Sequence, residues 1–133
     1  MNDLSTAQAT ILVIEDDPHF RETLTDAMAL KRLRVRGAST GAEGIRLAQS
    51  EVPSLILMDV QLPDAHGFEL CRRLKRLPQL KDVPIIFLSA RYTEPADRAE
   101  GLLAGADAYL SKPVNIDVLW EEVNYLLSKT ASA

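Results

Sequence analysis

The chain has 133 residues, 47% hydrophobic and 26% charged, which suits one compact globular domain. Its net charge of −4 favours neither nucleic acid nor a membrane surface as a partner, and no apolar run approaches the roughly 20 residues of a membrane span. One cysteine, Cys71, excludes an intrachain disulfide, and the N-terminus lacks a basic stretch followed by an apolar one, so the expectation is a cytoplasmic protein.

Residues 1–9 and 130–133 are short and polar and are expected to be flexible ends around a domain spanning 10–129. TILVIE (Thr10–Glu15) is a brief apolar run, the mark of a strand buried on both faces. Asp17-Pro18 then opens a helix, with Phe20, Leu24, Ala27 and Met28 at helical spacing. LRVRGA (Leu33–Ala38) alternates apolar and basic residues, as a half-exposed edge strand does. The next helix, Ser39–Ser50, carries Glu43 three residues after Thr40, a capping-box pattern.

SLILMD (Ser54–Asp59) is the most apolar strand, and the loop VQLPDAHG follows it. Phe68, Cys71 and Leu74 share one face of a helix over Phe68–Leu77, so Cys71 is expected to be buried and inert. IIFLS (Ile85–Ser89) is a fourth buried strand. Glu94–Ala104 reads as a helix ended by Gly105, and AYLS (Ala108–Ser111) as a fifth strand. The last helix, Asn115–Lys129, has Asn115 as its N-cap.

Five strands alternating with five helices imply a parallel α/β sheet covered on both faces, joined by right-handed crossovers. In such sheets the working crevice lies beyond the carboxyl ends of the strands. The first strand ends in Glu15-Asp16-Asp17, the third in Asp59, the fourth in Ser89 and the fifth in Ser111-Lys112. Carboxylates that converge on one rim repel and need a cation or a proton. Oxygen donors without cysteine or a well-placed histidine point to Mg²⁺. Glu15, Asp16 and Asp59 carry three negative charges, which Mg²⁺ and Lys112 together balance. An aspartate can act as nucleophile toward phosphorus, so the set suits phosphoryl transfer.

ILVIEDDP, LILMDVQLPDAHG, IIFLSAR and YLSKPV, in that order over roughly Thr10 to Leu127, resemble the receiver domain of two-component response regulators. The resemblance implies a flavodoxin-like (βα)5 fold with strand order 2-1-3-4-5. It implies that Asp59 accepts a phosphoryl group, that Asp16 binds Mg²⁺ directly and Glu15 through water, and that the Gln61 backbone carbonyl completes the ligands. Mn²⁺ is expected to stand in for Mg²⁺. Lys112 would pair with Asp59 or its phosphoryl oxygens, and Ser89 would donate to that group. Tyr109 would be the aromatic that turns inward when the hydroxyl moves, and Lys112–Pro113 would be cis. Ala90 leaves the site open, whereas Arg91 is long enough to shield it.

The implied partners are a histidine kinase or histidine phosphotransfer protein, and a downstream effector that can be a domain of the same chain. A homodimer through the fourth helix, fifth strand and fifth helix is a further candidate, with no direct nucleic acid and no membrane. The implied role is regulatory, the domain assisting its own phosphorylation and dephosphorylation. Three other readings compete. A hydrolase of the haloacid-dehalogenase type would need an acid where Gln61 stands. A dinucleotide-binding fold would need a glycine-rich turn after the first strand. A receiver-like module that is never phosphorylated is the third.

Overall fold

The structure, a computed structural model, describes residues 9–132; residues 1–8 and 133, within the two expected flexible ends, lie outside the described residues. Strands β1 (Thr10–Ile14), β2 (Arg34–Ala38), β3 (Leu55–Asp59), β4 (Ile85–Ser89) and β5 (Ala108–Ser111) alternate with helices α1 (Pro18–Ala29), α2 (Gly41–Ser50), α3 (Gly67–Arg76), α4 (Pro95–Leu103) and α5 (Ile116–Ser132). The strands form one parallel sheet in the order β2-β1-β3-β4-β5.

The central strands show why an unbroken apolar run was the right signal. Leu12 and Ile14 pack toward α2 and α3, while Ile11 and Val13 pack toward α1 and α5. Each such side chain contributes about 2 kcal/mol when fully buried. β2 is the edge strand, and its Arg34 and Arg36 reach Glu51, blunting an edge that would otherwise invite pairing.

Caps set the helix starts. Asp17 accepts from the His19 amide, and Asn115 from the amides of Asp117 and Val118. Thr40 accepts from the Glu43 amide, while the Glu43 carboxylate returns to Ser39, one residue earlier than the sequence pattern places it. Gly105 ends α4 at φ 119°, a conformation open to glycine.

Two boundaries differ from expectation. Ala9, placed in the flexible N-terminal end, is buried, and its carbonyl accepts from the Arg34 amide. The last helix runs to Ser132, past Lys129, so residues 130–132, placed in the C-terminal end, lie within α5.

α4 is the lightly held helix. Gly101 is its one buried residue, and Leu102 and Leu103 face outward. With little apolar area buried, its position costs little to change.

Candidate functional site

Parallel pairing brings the strand ends to one rim. Ile14 is level with Met58, so Glu15 and Asp16 emerge beside Asp59. Ser89 is level with Ser111, so Lys112 leaves β5 next to Ser89, and its amide donates to the Ser89 carbonyl at 2.8 Å. A cleft of about 330 Å³ opens there, lined by Asp16, Asp59, Gln61, Ser89, Ala90, Arg91, Tyr92 and Lys112 among others. Glu15 and Tyr109 are buried and are not part of that lining. Of the site residues expected from the sequence, Asp16, Asp59, Gln61, Ser89, Arg91 and Lys112 line this cleft.

Carboxylate oxygens of Glu15, Asp16 and Asp59 lie within 4.8 Å of one another. Burial pushes the Glu15 carboxyl above its ordinary range, against the lowering effect of its hydrogen bond from Lys112. Burial likewise raises Asp59, opposed by the Lys112 charge, with Asp16 adding to the rise. The Lys112 ammonium sits 2.8 Å from Glu15 and 3.6 Å from Asp59, so it is bonded to the deeper carboxylate and only close to the outer one. One ammonium leaves this rim short of positive charge. Three clustered oxygen donors with that deficit fit a hard divalent cation. Replacing Asp16, the exposed member, by asparagine is expected to weaken Mg²⁺ binding by roughly tenfold or more, read as a smaller rise in Tm on adding Mg²⁺. An equal Mg²⁺-dependent rise in both proteins would remove Asp16 from the ligand set.

Ser89 and Tyr109 are joined through a residue the sequence reading passed over. The Ser89 hydroxyl accepts from the Tyr92 amide at 2.9 Å, and the Tyr109 hydroxyl donates to the Tyr92 carbonyl. Tyr109 is already turned inward, 5% exposed, with its ring against Phe68 and Phe87. Gly101 makes the room: a Cβ there would come within 2.8 Å of the Tyr109 ring. Burial raises the Tyr109 phenol, and the nearby Ser89 hydroxyl works against that rise. Arg91 is exposed at the cleft rim. Lys112–Pro113 is cis.

Other side chains around the site gave no clear sequence signal. Phe20, read only as a core residue of α1, lies under the Lys112 ammonium at 4.4 Å. Asp64 accepts from the amides of Gly41 and Ala42, tying the loop after β3 to the start of α2. Arg98 of α4 stacks on Tyr109 and reaches Ser111. His66 is exposed and is the N-cap of α3. Cys71 is buried, and desolvation pushes its thiol up to about 11, as an inert core thiol requires.

The chain matches the family described as "Response regulator receiver domain" over residues 11–124. It is 40% identical over 120 residues to the transcriptional regulatory protein AfsQ1 of Streptomyces coelicolor, covering 90% of this chain and 52% of that protein. It is 34% identical over 120 residues to the DNA-binding dual master transcriptional regulator RpaA of Synechocystis, covering 90% of this chain and 49% of the relative. Among solved structures, the signal receiver domain of a signal transduction histidine kinase from Syntrophus aciditrophicus superposes with a TM-score of 0.83 at 34% identity, covering 91% of each chain. The chain thus spans about half the length of the curated relatives it matches. Those relatives are named as transcriptional regulators, one as DNA-binding. The expectation of no nucleic-acid partner therefore rests on the charge of these 133 residues and does not extend to proteins of that length. Among the described residues, no helix is long and apolar enough to cross a membrane.

Proposed function

The chain belongs to the response regulator receiver family, a phospho-acceptor switch of two-component signalling, and from that premise we propose that Asp59 is the acceptor. The observation that carries this reading is its placement. Asp59 is the carboxylate of the acidic cluster that lines the cleft, ends the strand beside the one that ends in Ser89, and lies 3.6 Å from the Lys112 ammonium. An Asp59 Oδ attacks phosphorus, the new O–P bond forms as the donor's P–N bond breaks, and the leaving imidazole nitrogen takes up a proton. The donor is a histidine kinase or a histidine phosphotransfer protein, and the domain works in the cytoplasm. Asp16, Glu15, Asp59 and the Gln61 carbonyl would hold Mg²⁺, which when bound neutralises charge on the phosphoryl oxygens. Lys112 faces the same oxygens from β5, and Ser89 donates its hydroxyl to one of them.

The domain assists its own phosphorylation and dephosphorylation but releases no product of its own beyond phosphate. Output is a shift in the position of α4 and in the surface it shares with β5 and α5. Leu102, Leu103, Val118 and Tyr125 are exposed there or close by, where an effector or a second copy would dock. No observation favours the hydrolase or the silent module. Incubation with acetyl phosphate and Mg²⁺, followed by intact mass, tests the reading. One phosphoryl adduct that requires Mg²⁺ is expected, and its absence would sink it.

Arg91 is expected to set how long that adduct lasts. Water must approach phosphorus opposite the Asp59 oxygen, past Ala90 and Arg91. The Arg91 guanidinium at the rim can lean across that path or pair with a phosphoryl oxygen. Arg91→Ala should shorten the lifetime several-fold, about 1 kcal/mol in the barrier. Equal or slower decay after donor removal would show that Arg91 does not shield the site.

A further inference from the structure

His66 does more than cap a helix. Its Nδ1 accepts from the Phe68 amide at 3.2 Å, which starts α3. Its backbone bridges to Gln61 across the loop after β3. Its ring stands edge-on to Tyr92, with centroids 5.2 Å apart at 70°, and edge-on to Phe68 at 4.8 Å. Tyr92 is the residue whose amide donates to Ser89 and whose carbonyl accepts from Tyr109. His66 therefore joins the loop that carries Gln61 to the loop that reads Ser89. The Tyr92 ring is half-buried: it packs on the core cluster, tilted to Phe68 at 6.5 Å, and the ring of the exposed His66 is a further contact.

We propose that His66 is a positioning residue for the switch: its ring, packed on Tyr92, holds the loop after β4 so that the Tyr92 carbonyl keeps Tyr109 turned inward. The proposal rests on the receiver reading for its meaning, since Tyr109 matters only if its position reports the site. The physical step is independent of phosphorylation. An edge-to-face aromatic contact adds to burial, and the loop it steadies runs into α4, whose one buried residue is Gly101. Losing it should release Tyr92, and with it the acceptor of the Tyr109 hydroxyl.

Two substitutions separate the ring from the cap. His66→Asn keeps a strong N-cap and removes the ring, whereas His66→Phe keeps a ring and removes the cap. The chain has three tyrosines, so 3-fluorotyrosine labelling gives three ¹⁹F signals, assignable by single Tyr→Phe changes. The solvent isotope shift of the Tyr109 signal reports its exposure. In the unphosphorylated protein, His66→Asn should raise the exposed population of Tyr109 several-fold, and His66→Phe should leave it near wild type. Tyr92→Leu should give the same rise, and the double variant His66→Asn/Tyr92→Leu should add nothing to it.

Wild-type Tyr109 shifts in His66→Asn would overturn the proposal. So would a larger change in His66→Phe than in His66→Asn, because the cap and not the ring would then be responsible. Additive effects in the double variant would likewise break the link through Tyr92. Acetyl phosphate uptake is followed in the same samples. If wild type takes up no phosphoryl group, the receiver reading of Asp59 fails, while the ¹⁹F comparison still decides the His66 contact.

Discussion

Asp59→Asn is expected to take up no phosphoryl group from acetyl phosphate with Mg²⁺, where the unaltered chain gains one. Three carboxylates lie close enough to compete for phosphorus, and geometry separates them. Glu15 is 2% exposed, bonded to Lys112 and to the Asp17 amide, and is absent from the cleft wall. Asp16 lines the cleft but is exposed, and the ion pairs of Lys112 within 4 Å are with Glu15 and Asp59. Asp59 has the cleft, the ammonium at 3.6 Å and Ser89 on the adjacent strand. Asparagine keeps the shape and loses the nucleophile, so the loss should be complete rather than partial.

The same substitution should raise Tm without Mg²⁺, because burial holds the Asp59 carboxyl above its ordinary range. A carboxyl raised in the fold binds protons more tightly folded than unfolded. Its ionisation therefore lowers stability as pH climbs from the unfolded value through the folded one, and the cost is full at neutral pH. Asparagine removes that cost, so the gain in Tm should be present at pH 7 and vanish in acid below the ordinary carboxyl range. A Mg²⁺-dependent adduct on the Asp59→Asn protein would move the acceptor to another carboxylate. A lower Tm at pH 7 would contradict the electrostatic account alone.

The strand ends were legible in the sequence because a parallel sheet leaves little choice. Each central strand is buried on both faces, so it reads as an apolar run, and the first polar residue after the run marks the rim. Glu15, Asp59, Ser89 and Lys112 were found in that way. Tyr92 and His66 were not, because they sit in loops, where no periodicity says what a side chain touches. His66 precedes Gly67 at a helix start, which marks an N-cap position, but histidine is not a residue type that announces a cap. The inward position of Tyr109 was also hidden. It depends on Gly101 of α4 lying over the ring, a contact between separate elements that only packing reveals. The end of α5 was missed for the opposite reason: Thr130, Ala131 and Ser132 are small and polar enough to read as a tail, yet nothing in them breaks a helix.

Gly67→Ala is expected to be the most damaging single methyl that can be added near the site. A Cβ at Gly67 would lie 2.8 Å from the Val60 Cα and 2.9 Å from the carbonyl oxygens of Asp59 and Val60. All three are backbone atoms, so no side chain can turn away to relieve the contact. Alanine is the better helix former by about 1 kcal/mol, and Gly67 is the first residue of α3, so local propensity favours the change. The contact should outweigh it. Either α3 backs away from the end of β3, breaking the bond from the Gly67 amide to the Val60 carbonyl, or the chain at Asp59–Val60 shifts. Overpacking of this kind costs roughly 2 kcal/mol or more, which for a domain of this size lowers Tm by several degrees. The functional loss should be larger than the stability loss, because a displaced Asp59 no longer meets phosphorus in line. A misplacement near 1 Å can cost about a hundredfold in rate. Gly41→Ala is the control. Its Cβ would meet only side-chain atoms, the nearest at 3.3 Å, so the change should stay within about 1 kcal/mol and leave phosphorylation near the unaltered rate. Melting curves and the initial rate of acetyl phosphate uptake, measured on both variants, decide the matter. Wild-type values for Gly67→Ala would mean that the loop after β3 has slack, and that close approach of α3 is not what holds Asp59 in place.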